Sequence, residues 1–173
     1  MRSPIIIILA LLASSYTFAQ TAVERFFAQH SQLENVNKFS LQGGLLQLFS
    51  NDLADTNAQK TMRKLNQLSA IWVEDFNPID TRAVKSLLKN LQKDAYEPLI
   101  MAKDGSASVN FLLQENRSGI TGVVLVVDDD DHFLLVHLTG NLQFEDLSNV
   151  DFDIEGMDHF KKLPKSRDRL KRA

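Results

Sequence analysis

The stretch VVLVVDDDDHFLLVHLTG, from Val123 to Gly140, sets two apolar runs on either side of four consecutive aspartates. Successive side chains along a strand point to opposite faces. Val123, Leu125 and Val127 therefore oppose Val124 and Val126, and Phe133 and Leu135 oppose Leu134, Val136 and Leu138. Two strands that are apolar on both sides need cover on both sides. The chain must place helices on both faces of its sheet, or a second subunit on one of them.

The residues around this pair supply the rest of an architecture. Val23, Phe26, Phe27 and His30 recur at helical spacing, as do Leu45, Leu48 and Phe49. KFSLQGG between them reads as a brief strand ended by Gly43-Gly44. Asp55 or Thr56 is placed to cap a helix whose inward residues would be Ala58, Met62, Leu65 and Leu68. AIWVEDF, Ala70 to Phe76, reads as a strand broken by Pro78. Asp80 or Thr81 caps the clearest helix, with Val84, Leu87, Leu88 and Leu91 on one side and Lys85, Lys89 and Lys93 on the other. Pro98 cannot sit in a helix interior and marks a change of structure. Period-two strands follow, separated by Asp104-Gly105 and Arg117-Ser118-Gly119, and a last short helix surrounds Phe144 and Leu147. The expected fold is a single α+β domain: an antiparallel β-meander packed with several amphipathic helices.

The N-terminus, MRSPIIIILALLASSYTFAQ, has one positive charge, an apolar run from Ile5 to Ala13 and a small residue at Ala19. That is the form of a secretory signal peptide, too short to stay as a membrane span. Cleavage after Ala19 is expected, placing the domain at 20–160 in the periplasm. The chain has no cysteine, so a lipid-modified N-terminus and disulfides are both excluded. The last thirteen residues, 161–173, carry seven basic side chains and one acid and read as a disordered tail. The body is acidic, with 11 basic and 21 acidic residues over 20–160, which argues against nucleic acid as a partner. The tail itself offers at most weak peripheral contact with an anionic membrane surface.

Asp128 to Asp131 admit three readings. Calcium loops bring oxygens together from spaced positions, and adjacent aspartates in an extended chain point apart. Acid–base pairs need burial to separate their pKa values, which a solvated tip does not provide. The turn reading needs nothing special, since aspartate bonds its own backbone and charge discourages edge pairing of sticky strands. The four aspartates are therefore expected to form the exposed tip of a hairpin. Four scattered histidines, His30, His132, His137 and His159, form no ligand spacing. His137 lies on the strand face of Phe133 and Leu135, where a hydrogen-bonded, half-buried histidine is expected. No G-x-S-x-G elbow and no phosphate-loop lysine is present.

VERFFAQHS, FSLQGGLLQLFS, AIWVEDF, KDGSASVNFL and HLTGNLQFEDLSN follow one another in an order that resembles a family of small exported bacterial proteins. That family is classed as a domain of unknown function in the four-thousand series of such families. Its members share a KDG…V.FL segment, here Lys103-Asp104-Gly105, Val109 and Phe111-Leu112, an acidic hairpin, and a closing segment, here Leu138 to Ser148. The resemblance implies export in Gram-negative bacteria, often as lipoproteins, and carries no activity to transfer. No catalytic, cofactor-binding or metal residue is assigned, and no cofactor is expected. The expectation is a non-enzymatic periplasmic domain that binds an unknown protein or small apolar ligand, or modulates an envelope process, with a homodimer through the apolar sheet face as one form of binding. The alternative is a hydrolase-type enzyme with an unrecognised site near His137.

Overall fold

The computed structural model of the protein describes residues 20–148. The expected signal peptide (1–19), residues 149–160 and the basic tail (161–173) lie outside them. In chain order the elements are α1 (Ala22–His30), β1 (Asn37–Gln42), α2 (Gly43–Ser50), α3 (Thr56–Lys64), β2 (Leu65–Val73), α4 (Thr81–Lys93), β3 (Glu97–Asp104), β4 (Ala107–Asn116), β5 (Gly119–Asp128), β6 (Phe133–Leu142) and α5 (Phe144–Ser148). The strands form one antiparallel sheet in the order β1-β2-β6-β5-β4-β3. The late strands make the expected meander, and β2 returns to pair with β6, so the two apolar strands lie at the centre of the sheet. The fold is α+β.

Helix starts follow local chemistry. Thr21 and Glu24 form a capping box at α1. Asp55 accepts hydrogen bonds from the N–H groups of Asn57 (2.6 Å) and Ala58 (2.9 Å), and Asp80 from that of Arg82 (2.7 Å). α1 and α4 cover one face of the sheet, called inner below. Ala22, Val23, Phe26, Val84, Leu87 and Leu91 meet Ile71, Val73, Leu112, Val124, Val126, Phe133 and Leu135 there. Each fully buried aliphatic side chain in this layer contributes about 1.5–3 kcal/mol.

The other face, called outer, carries α2, α3 and α5. Leu46 from α2, Met62 from α3, and Phe144 and Leu147 from α5 pack on Leu65, Phe111, Leu113, Ile120, Val123, Leu125, Leu138 and Leu142. A buried Asp146 holds α5 down: its carboxylate meets the Lys64 ammonium at 2.7 Å and accepts the Gln143 N–H at 2.7 Å. Gly140 makes the close passage beneath α3 feasible, because a Cβ there would lie 2.4 Å from the Lys64 carbonyl oxygen.

Three local expectations are corrected. α3 ends at Lys64, and Leu65 and Leu68 belong to β2 and not to the helix. Leu65 pairs with Gly140 of β6, and from Gln67 the backbone has paired neighbours on both sides, β1 and β6; this tertiary pairing overrides helical spacing. The strand accordingly begins five residues earlier than Ala70 and stops at Val73, short of Phe76. In α2 the buried residues are Leu46 and Ser50, while Leu45, Leu48 and Phe49 are 52%, 65% and 53% exposed. The helix forms where expected but turns its apolar stripe outward.

Candidate functional site

His137 sits on the inner face, as expected from its parity with Phe133 and Leu135. It pairs in register with Ser69 and Val124 and is 7% exposed, on the face that carries α1 and α4. Tyr96, in the link between α4 and β3, places its Oη 2.9 Å from His137 Nε2. Gly122 makes this possible: a Cβ there would stand 2.4 Å from the Tyr96 Oη. Burial pushes the His137 imidazole down to about 4, against a weaker upward pull from Glu24. Burial likewise pushes the Tyr96 phenol up to about 12, with Asp94 adding to it. The pair is a neutral hydrogen bond in the core. Among the described residues no buried side-chain nitrogen or oxygen lacks a hydrogen-bond partner.

The acidic stretch is a hairpin turn. The Asp129 N–H donates to the His132 carbonyl at 3.0 Å, closing β5 onto β6. Asp129 Oδ1 accepts from the N–H groups of Asp131 (2.8 Å) and His132 (2.7 Å), and its carboxylate also meets His132 Nδ1 at 3.1 Å. Burial alone would raise this carboxyl, but the His132 and Asp131 N–H groups and the imidazole outweigh it and hold it below the usual carboxylate range. Asp128 departs from the expected exposed tip. It ends β5 on the inner face, is 7% exposed, and is held by Asn77 Nδ2 at 3.2 Å. Burial raises its pKa, Asn77 opposes that, and the neighbouring charges of Asp129 and Asp130 add to it. Asn77 Nδ2 also bonds the carbonyls of Asp129 and His132, tying the β2–α4 loop to the hairpin. Among the described residues no three His, Asp or Glu side chains are grouped to hold a metal ion.

The outer sheet face is where apolar surface and access coincide. Register places its side chains in three rows across the strands. Leu41, Leu68, Leu138, Val123 and Leu113 form the row nearest α5; Phe39, Ala70, Val136, Leu125, Phe111 and Ile100 form the middle one; Trp72, Leu134, Val127, Val109 and Ala102 form the last. The helices cover the α5 end. Beyond them Trp72, Leu134, Val136, Val127 and Val109 are only part-buried, and Phe39 is 40% exposed. The outward stripe of α2, Leu45, Leu48 and Phe49, lies on the same side of the sheet. Where β3 begins and β4 ends, a cleft of about 510 Å³ opens beside Phe144, lined by Leu99 and Leu113 and by the charged Glu97, Glu115 and Arg117.

Sequence reasoning located His137 and the hairpin. It missed Tyr96 and Asn77, whose partners lie 41, 51 or more residues away along the chain and carry no local signature, and it missed the cleft, which three separate elements assemble. The two-sided apolar pattern called for cover on both faces, and helices lie on both.

A family profile described as a domain of unknown function, DUF4252, matches residues 30–150. No curated protein and no solved structure matches the chain.

Proposed function

The chain belongs to the DUF4252 family, a domain of unknown function, and we propose from its own geometry that it is an exported, non-enzymatic binding domain working through the outer face of its sheet. The observation that carries this reading is the contrast between the two faces. α1 and α4 cover the centre of the inner one and leave a cleft of about 230 Å³ between α4 and β3 beside Met101, while the outer leaves a continuous apolar surface from Trp72 to Val109 half-covered. An apolar area of this kind, rimmed by charge, marks an interaction site. The occupant that fits is an apolar polypeptide surface. The burial of His137 and its bond to Tyr96 support a structural part for the residue on which a hydrolytic reading would rest.

Export rests on the charged, apolar and small-residue order of 1–19. Mass measurement of the periplasmic protein is expected to show Gln20 as the first residue; an intact chain retained in the membrane would refute it. For the binding surface, a photo-crosslinking amino acid at Val136 in the full chain is expected to give adducts with another polypeptide in cells. The adducts should vanish when Leu134→Asp is added and be absent with the crosslinker at Lys89, on the polar side of α4. Equal adducts from Val136 and Lys89, or none from either, would sink the reading, and adducts between two copies would make the protein its own partner.

A further inference from the structure

We propose that the resting occupant of the outer face is the protein's own C-terminal segment, with Val150, Phe152 and Ile154 in the cleft beside Phe144 and the basic run from Lys161 at the acidic rim. The proposal rests on the reading of that face as the binding surface and adds what covers it before a partner arrives.

Three observations converge. The first is where the chain leaves the described fold. Phe144 and Leu147 of α5 are packed on the outer face, and Asp146 and Lys64 pin the helix there, so the next residues start beside the cleft. The second is pattern. Val150, Asp151, Phe152, Asp153 and Ile154 alternate apolar and acidic, the period of a chain that lays one side on a sheet and turns the other to water. The third is charge. Residues 161–173 carry a formal +6, from seven basic side chains and Asp168, whereas 20–148 carry −6. Acids outnumber bases at both ends of the open face: Glu97, Glu115 and Glu145 against Arg117 near α5, and Glu74, Asp104 and Asp129 to Asp131 against Lys103 near the hairpin.

Length is sufficient. The twelve residues 149–160 span about 40 Å when extended, at ~3.3 Å each. A ten-residue strand such as β6 is about 34 Å long. Lys161 therefore reaches an acidic rim whichever way the segment crosses the face.

The absence of native cysteine makes a clean test, because every disulfide reports an engineered pair. In the full chain, Val136→Cys or Leu99→Cys is combined in turn with Val150→Cys, Phe152→Cys or Ile154→Cys, and with Asp151→Cys or Asp153→Cys as controls. Mild oxidation at low protein concentration is followed by mass and non-reducing gels. The expected result is an intramolecular disulfide from at least one apolar position, in several-fold higher yield than from the aspartate positions. Changing Lys161, Lys162, Lys165 and Arg167 to Glu should lower that yield several-fold. No intramolecular bond, or equal yields from the apolar and aspartate positions, overturns the proposal. So does a bond between two copies through Val136→Cys alone, which would make a second copy the occupant. An unchanged yield after charge reversal overturns the placing of the basic run. Photo-adducts at Val136 that persist without any intramolecular disulfide would sink this inference and leave the binding reading standing. Disulfides that form while no polypeptide adds at Val136, even with the tail charge reversed, would do the opposite.

Discussion

Lowering the pH from 7 to 5 is expected to take about 2 kcal/mol from the fold through His137 alone. The imidazole titrates at about 4 in the native protein because it is buried on the inner face, bonded to Tyr96. In the unfolded chain it returns to about 6.5. Below that value the unfolded state binds a proton that the native state refuses, so stability falls as pH falls. A difference from 6.5 to about 4, at about 1.4 kcal/mol per pH unit, makes a full loss of roughly 3 kcal/mol, most of it between pH 6.5 and 4. Asp128, whose pKa is raised, acts with the opposite sign and stabilises as it takes up its proton. Comparison with His137→Gln removes that contribution, since Asp128 is present in both proteins. Urea unfolding at intervals from pH 7.5 to 4 is the assay. The stability of the wild type relative to His137→Gln should drop by about 2 kcal/mol between pH 7 and 5. A difference that stays flat would mean that His137 titrates normally, and its burial on the inner face would be wrong.

Leu135 is fully buried in the inner layer, so Leu135→Asp should cost several kcal/mol, about 4 or more, while the exposed Lys89→Asp costs under ~0.5 kcal/mol by urea titration. Gly122→Ala pushes a methyl to 2.4 Å from the Tyr96 oxygen and should cost about 1–3 kcal/mol, with loss of the slow hydrogen exchange expected for neighbouring β5 amides. Asp129→Ala removes the acceptor for two backbone N–H groups in the turn and should lower stability by ~1 kcal/mol, whereas Asp131→Ala, at an exposed position, should leave the melting temperature within a degree. Calorimetric titration with calcium should show no saturable micromolar site in the wild type that disappears in Asp129→Ala; such a site would refute the purely structural turn.

The sequence by itself determined the class of the fold and the burial problem it must solve. Alternation in Val123–Val127 and Phe133–Leu138 put two-sided apolar strands at the centre of the sheet, because side-chain direction in a strand depends on position alone. Asp55, Asp80 and the Asp104-Gly105 and Ser118-Gly119 turns marked element ends, because capping and positive φ are satisfied within a few residues. The tertiary structure decided what required distant partners. Leu65 and Leu68 left their helix because β6, and for Leu68 β1 as well, offered a ladder. α2 turned Leu46 inward and Leu45, Leu48 and Phe49 outward because contact with β2, and not its own periodicity, chose its buried side. Asp128 was drawn under Asn77, His137 met Tyr96 over Gly122, and the helices covered more of one sheet face than of the other. Each of these joins residues tens of positions apart, and local pattern carries no information about which distant group arrives.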